Sequence, residues 1–159
     1  HGEISVKRGL LFARRGLAAD CPGHLGRVSA MTDNKAPSLF ERIGGAETVN
    51  ALVSAYFREL HTQPRAPTLC GFYSKATDHY QTRMVEYITG FLGGPGLYQQ
   101  AHGLPMLREQ HCRLTIDDAM RDQWYGCMQA AIADVISDAA LRTQLEAAFW
   151  RMADSLRNA

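Results

Sequence analysis

Apolar stripes at three- and four-residue spacing, each bounded by glycine or proline, constrain the fold more than any other feature of the chain. Val49, Leu52, Val53, Tyr56, Phe57 and Leu60 share one helical face, and Tyr80, Met84, Tyr87, Ile88 and Phe91 repeat the pattern up to Gly93 and Gly94. Ile116, Met120, Trp124, Cys127, Ala131 and Val135 continue it for about five turns, and Leu141, Leu145, Phe149, Met152 and Leu156 close it. No segment alternates with period two, so the class is all-α. The spacing predicts long helices over 46–62, 77–92, 115–136 and 138–157. Ser38 with Glu41 reads as a capping box for a short first helix that Gly44 and Gly45 stop, and Thr115 with Asp118 reads as a second box. Pro64, Pro67 and Gly71 read as an interruption, "GGPGLYQQAHG" as a loop, and Pro105 as the opening of a short helix with Leu104, Leu107 and His111 on one face.

At 159 residues the chain suits one domain able to bury a core. A formal charge of +1 leaves no field to draw in nucleic acid, and no apolar run approaches the roughly 20 residues of a membrane span. Cys21, Cys70, Cys112 and Cys127 form no C-x-x-C pair, which points to reduced thiols in a cytoplasmic protein. Cys21 and His24 have the spacing of half a metal site, without a second half nearby. Residues 1–37 are Arg- and Gly-rich and acid-poor. They read as an extension outside the domain, disordered, transit-like or a cloning remnant, with Met31 as a natural start; the domain itself spans 38–159.

His111 carries the chemistry. A histidine on an apolar stripe is either a hydrogen-bonded core residue or a metal ligand, and the face it shares with Leu104 and Leu107 is too small to justify burying an imidazole for packing. A ligand bound through Nε2 needs an acceptor for Nδ1–H, and the carbonyls one turn back, at or near Leu107, lie within reach.

The stretches "SLFERIGGAETVNALVSAYFREL", "FLGGPGLY", "HGLPMLREQH" and "RDQWYGCMQAA" together resemble the truncated haemoglobins of group II, in the order that family shows and over about residues 38–157. The resemblance implies a two-over-two helical sandwich around haem b, with iron held by His111. It places Trp124 in the distal pocket, where its indole N–H can donate to a bound ligand. An ungapped match puts Phe57 where most members carry a distal tyrosine. Tyr56 stands one position earlier, turned by about 100°, so it does not simply stand in for that tyrosine. The loss of that tyrosine shifts ligand stabilisation to Trp124 and another group. Tyr80, at the gate position by count from Gly93, is either that group or a half-exposed edge residue, and Met84 lines the same pocket. His79 is either solvated or a sixth ligand.

For the haem faces and carboxylates, the same resemblance implies Leu107, one aromatic of Phe72 and Tyr73 with the count favouring Phe72, and Tyr98 and Arg108 near the propionates. Cys112 packs beside the ligand. The function expected is binding, or transport, of dioxygen and other diatomic ligands (NO, CO) by a monomer or homodimer. Alternatives are NO dioxygenase or peroxidase-like activity served by a separate reductase, and a globin-type sensor or interaction module.

Overall fold

A computed structural model of the chain describes residues 35–62, 66–73 and 77–159. The expected extension over 1–37, with Cys21 and His24, lies outside the described residues except for Lys35, Ala36 and Pro37, which are exposed and irregular. Eight helices follow among the described residues: α1 Leu39–Arg42, α2 Gly45–Thr62, α3 Pro67–Tyr73, α4 Thr77–Phe91, α5 Leu97–His102, α6 Leu107–His111, α7 Asp118–Val135 and α8 Ala139–Ser155. No strand occurs among them, and no helix is long and apolar enough to cross a membrane.

α2 packs on α4, α7 packs on α8, and α2 lies against α7. This is the two-over-two sandwich that the resemblance implied. Its seam is dry: Val49, Leu52 and Val53 of α2, Met128 and Ile132 of α7, and Leu145 and Phe149 of α8 have no measurable exposure. Each such side chain contributes roughly 1.5–3 kcal/mol relative to exposure.

The capping box at α1 is formed. Ser38 Oγ accepts from Glu41 N–H, and the Glu41 carboxylate accepts from Ser38 N–H at 2.8 Å. The paired glycines after α4 explain how α1 docks. A Cβ on Gly94 would stand 2.7 Å from the Phe40 ring and 2.8 Å from the Thr89 carbonyl, and Gly93 has φ of 89°. Their absence of side chains lets Phe40 N–H donate to Leu92 O at 2.9 Å, which seats α1 on the end of α4.

Four boundaries differ from expectation. The stretch around Pro67 and Gly71 is helix α3, with Pro67 at its first position, where a missing N–H costs nothing. "LYQQAH" forms α5 rather than loop, which makes His102 a helical residue. α7 is capped by Asp117, whose carboxylate accepts from Met120 N–H at 2.8 Å, not by Thr115. α6 begins at Leu107 and not at Pro105, so Leu104, 70% exposed, lies off the helix and off the face shared by Leu107 and His111.

Candidate functional site

A cavity of about 620 Å³ opens between α3, α4, α6, α7 and the end of α8. That volume falls within the ~300–1,000 Å³ usual for cofactor pockets. One wall carries Leu107 and His111 of α6. His111 Nδ1 lies 2.7 Å from Leu107 O. A carbonyl can only accept, so Nδ1 is the donor, which in the neutral ring leaves the lone pair on Nε2. This short wall is pinned from behind. Asn158 Oδ1 accepts from Ile116 N–H and its Nδ2 donates to Leu114 O, both at 2.9 Å, which fastens the turn after His111 to the C-terminal residues.

Much of the remaining lining is aromatic. Trp124 of α7, Tyr73 and Phe72 of α3, and Tyr80, Met84 and Tyr87 of α4 all line the cavity. Behind Trp124 stands Tyr56, fully buried, with ring centroids 5.8 Å apart. Its hydroxyl forms no hydrogen bond of acceptable geometry, although it is close enough to the Tyr73 hydroxyl to interact with it. Burial pushes both phenols above the ordinary range, Tyr56 strongly. A buried hydroxyl without a partner costs about 1–3 kcal/mol. Trp124 Nε1–H likewise has no hydrogen-bond partner among the described residues.

Phe57 does not line the cavity. It is 3% exposed and packs edge-on against Tyr73 at 5.4 Å and near His61 at 6.4 Å. The buried face of α2 is wide enough to hold both aromatics, and the helical offset sends Tyr56, not Phe57, toward Trp124. Tyr80 lines the cavity and is 41% exposed, with its ring edge-on to Tyr73 at 5.1 Å. His79 shares its wall and is exposed. Phe72 and Tyr73 both reach the cavity, but Phe72 is 47% exposed while Tyr73 turns into the aromatic cluster.

Arg108 is absent from the cavity. Its Nε donates to Ser155 O at 3.0 Å, which ties α6 to the last carbonyls of α8. The cations that do line the cavity are Arg83, half-buried over the Tyr98 ring at 5.8 Å, the exposed Arg113, and Arg121, which is engaged by Asp118, Asp122 and Asp154. Arg83 lies off the apolar stripe of α4, one turn from both His79 and Tyr87, and only that spacing signals it; Arg113, in a turn, left no periodic signal. Tyr98 is buried against the cavity, and its hydroxyl accepts from Gln110 Nε2 at 3.0 Å. Cys112 is exposed rather than packed. Among the described residues no three His, Cys, Asp or Glu side chains converge as a metal cluster.

The site therefore offers one imidazole with a committed Nδ1, a largely apolar and aromatic hollow, and uncommitted cations at its edge. That donor set fits a flat apolar macrocycle bearing carboxylates and an iron with one protein ligand.

Comparison with known proteins agrees. The family described as bacterial-like globin matches residues 38–158. A group 2 truncated hemoglobin of Bacillus subtilis (strain 168) is 31% identical over 98 residues, 62% of this chain and 72% of that protein. The group II 2-on-2 hemoglobin of Agrobacterium tumefaciens superposes with a TM-score of 0.74 at 33% identity, over 79% of this chain and 98% of that one. The cold-adapted truncated hemoglobin of Pseudoalteromonas haloplanktis TAC125 also gives 0.74, at 30% identity, over 77% and 99% of the two chains. The chain belongs to the bacterial-like globin family, within the group II truncated haemoglobins, and so to a family of haem-iron proteins.

Proposed function

We propose that this globin holds haem b through His111 Nε2 and binds dioxygen or another diatomic gas reversibly. The observation that carries the reading is the 2.7 Å contact of His111 Nδ1 with Leu107 O on the cavity wall, which fixes the tautomer a metal ligand needs and orients the ring. Haem supplies an iron with an open coordination position for a small ligand.

The chain's own residues do the rest. Leu107, Met84, Tyr87 and Ile116 give the haem an apolar bed and keep water from it. Arg83 and Arg113, with Tyr98, serve its carboxylates, since guanidinium matches carboxylate geometry. In the same lining Trp124 supplies an unpartnered N–H for the negative charge that a bound diatomic develops. Tyr56, buried directly behind it, holds the indole ring in place.

Absorption spectra of the haem-loaded full chain in ferric, ferrous and carbonyl forms test this. A five-coordinate ferrous spectrum that shifts on addition of carbon monoxide is expected. His111→Ala abolishes that spectrum; an unchanged ferrous spectrum in the variant overturns the assignment.

A further inference from the structure

α6 buries no side chain, so hydrophobic packing does not set where His111 stands. The Leu107 carbonyl fixes the rotation of its ring but belongs to the same short helix. What holds the backbone beyond it comes from the residues after α8. His111 O accepts from Leu114 N–H at 2.9 Å. Asn158 Nδ2 in turn donates to Leu114 O, and its Oδ1 accepts from Ile116 N–H, both at 2.9 Å. The N–H of Asn158 donates to Ile116 O at 3.0 Å, so one residue engages Ile116 in both directions. Among side chains of this length only asparagine presents a neutral donor and acceptor side by side, and these backbone partners admit one orientation of its amide. Asn158 is itself fixed: Arg157 beside it joins Asp154 at 2.8 Å and Asp118 at 3.1 Å, spanning the end of α8 and the start of α7.

We propose that Asn158 is a positioning residue for the iron ligand: its amide clasps 114–116 and, through the bond between Leu114 and His111, limits how far the imidazole can move along its own axis. The proposal rests on the reading that His111 Nε2 binds the haem iron. The clasp consists of hydrogen bonds made by an exposed residue, so it restrains the histidine without drawing on the core. A restrained imidazole cannot follow the metal when a gas binds, which keeps affinity for that gas low. Opening the clasp raises it.

The test compares the haem-loaded full chain with Asn158→Ala, Asn158→Asp and a core control, Ile132→Val. In Asn158→Ala amide hydrogen exchange should quicken at least tenfold at Ile116, which loses its acceptor, and at Leu114, whose bond to His111 O the substitution does not touch. The iron–imidazole stretching band in the resonance Raman spectrum of the ferrous protein should shift, and carbon monoxide should bind at least threefold faster. Asn158→Asp keeps the acceptor for Ile116 N–H and loses the donor to Leu114 O, so it should fall between. Ile132 lies in the dry seam and does not line the cavity, so Ile132→Val should lower stability while band and rate stay as in the wild type. Faster exchange with an unmoved band and rate, unchanged exchange, or equal changes in Ile132→Val each overturn the positioning role alone. Failure of the wild-type chain to take up haem overturns the functional reading, and the positioning role with it.

Discussion

His111 and Trp124 line one cavity, and the chain holds them by different means. His111 is oriented by a carbonyl four residues back, on a five-residue helix that buries no side chain. Trp124 is held by rings from other helices: Tyr56 of α2 and Phe149 of α8. A ligand oriented by its own helix needs little from the rest of the fold. A pocket wall assembled from several helices is also part of the core, so its chemistry and its stability cannot be varied separately.

The sharpest way to break this contrast is to truncate one residue behind each wall. Phe149→Ala, at no exposure, should cost ~3–5 kcal/mol in denaturant unfolding. Leu107→Ala, half-buried, should cost about 1 kcal/mol, since less apolar area leaves water. It should loosen haem far more than it loosens the fold. Equal losses of stability would erase the distinction.

That contrast also explains what was legible in the sequence. The four long helices, the Ser38 capping box and His111 with its Leu107 acceptor all rest on contacts a few residues apart, which spacing reports directly. What was missed is set by distant packing. α3 and α5 are too short for a stripe and begin or sit among Pro and Gly, so their helicity comes from neighbours rather than from pattern. Tyr56 and Phe57 are both apolar positions on a broad buried face, and only the packing of α7 decides which of them meets Trp124. Arg108 occupies the family's propionate position in the sequence, yet the end of α8 takes its guanidinium.

Acid and alkali should act on different parts of the molecule. Tyr56 and Tyr73 have native pKa values raised above the ordinary 10.0 by burial. The stability of their neutral forms is present below pH 10 and is lost as pH rises beyond it. Tyr56→Phe removes the larger share, so its alkaline unfolding should begin at higher pH than that of the wild type. At neutral pH it should be neutral or slightly stabilising, because the lost hydroxyl had no partner. In the loaded protein the same change should leave dioxygen release nearly unchanged, since Tyr56 stands behind Trp124 and does not line the cavity, whereas Trp124→Phe should speed it about two- to tenfold, matching one neutral hydrogen bond of ~0.5–1.5 kcal/mol.

Acid acts elsewhere. Asp154 bridges Arg121 of α7 and Arg157 beyond α8, and its carboxyl is held below the ordinary 3.8 by hydrogen bonds from those guanidinium groups, Arg121 first. Its contribution is present above pH 3.8 and fades as pH falls through the depressed native value. Asp154→Asn should therefore flatten the acid limb of a stability profile and leave the alkaline limb unchanged. A shift in the alkaline limb would show that the two ends are coupled.

The smallest effect belongs to Arg108. It is exposed and gives one charged hydrogen bond to Ser155 O, so Arg108→Ala should cost no more than about 1 kcal/mol of stability. Haem dissociation into an acceptor globin separates its two readings. If Arg108 anchors α6 to α8, the variant releases haem at nearly the wild-type rate, whereas Arg83→Ala and Arg113→Ala release it several-fold faster because those side chains line the cavity without acidic partners. Fast release from Arg108→Ala alone would return that residue to the propionates and would mean that its bond to Ser155 gives way when haem enters.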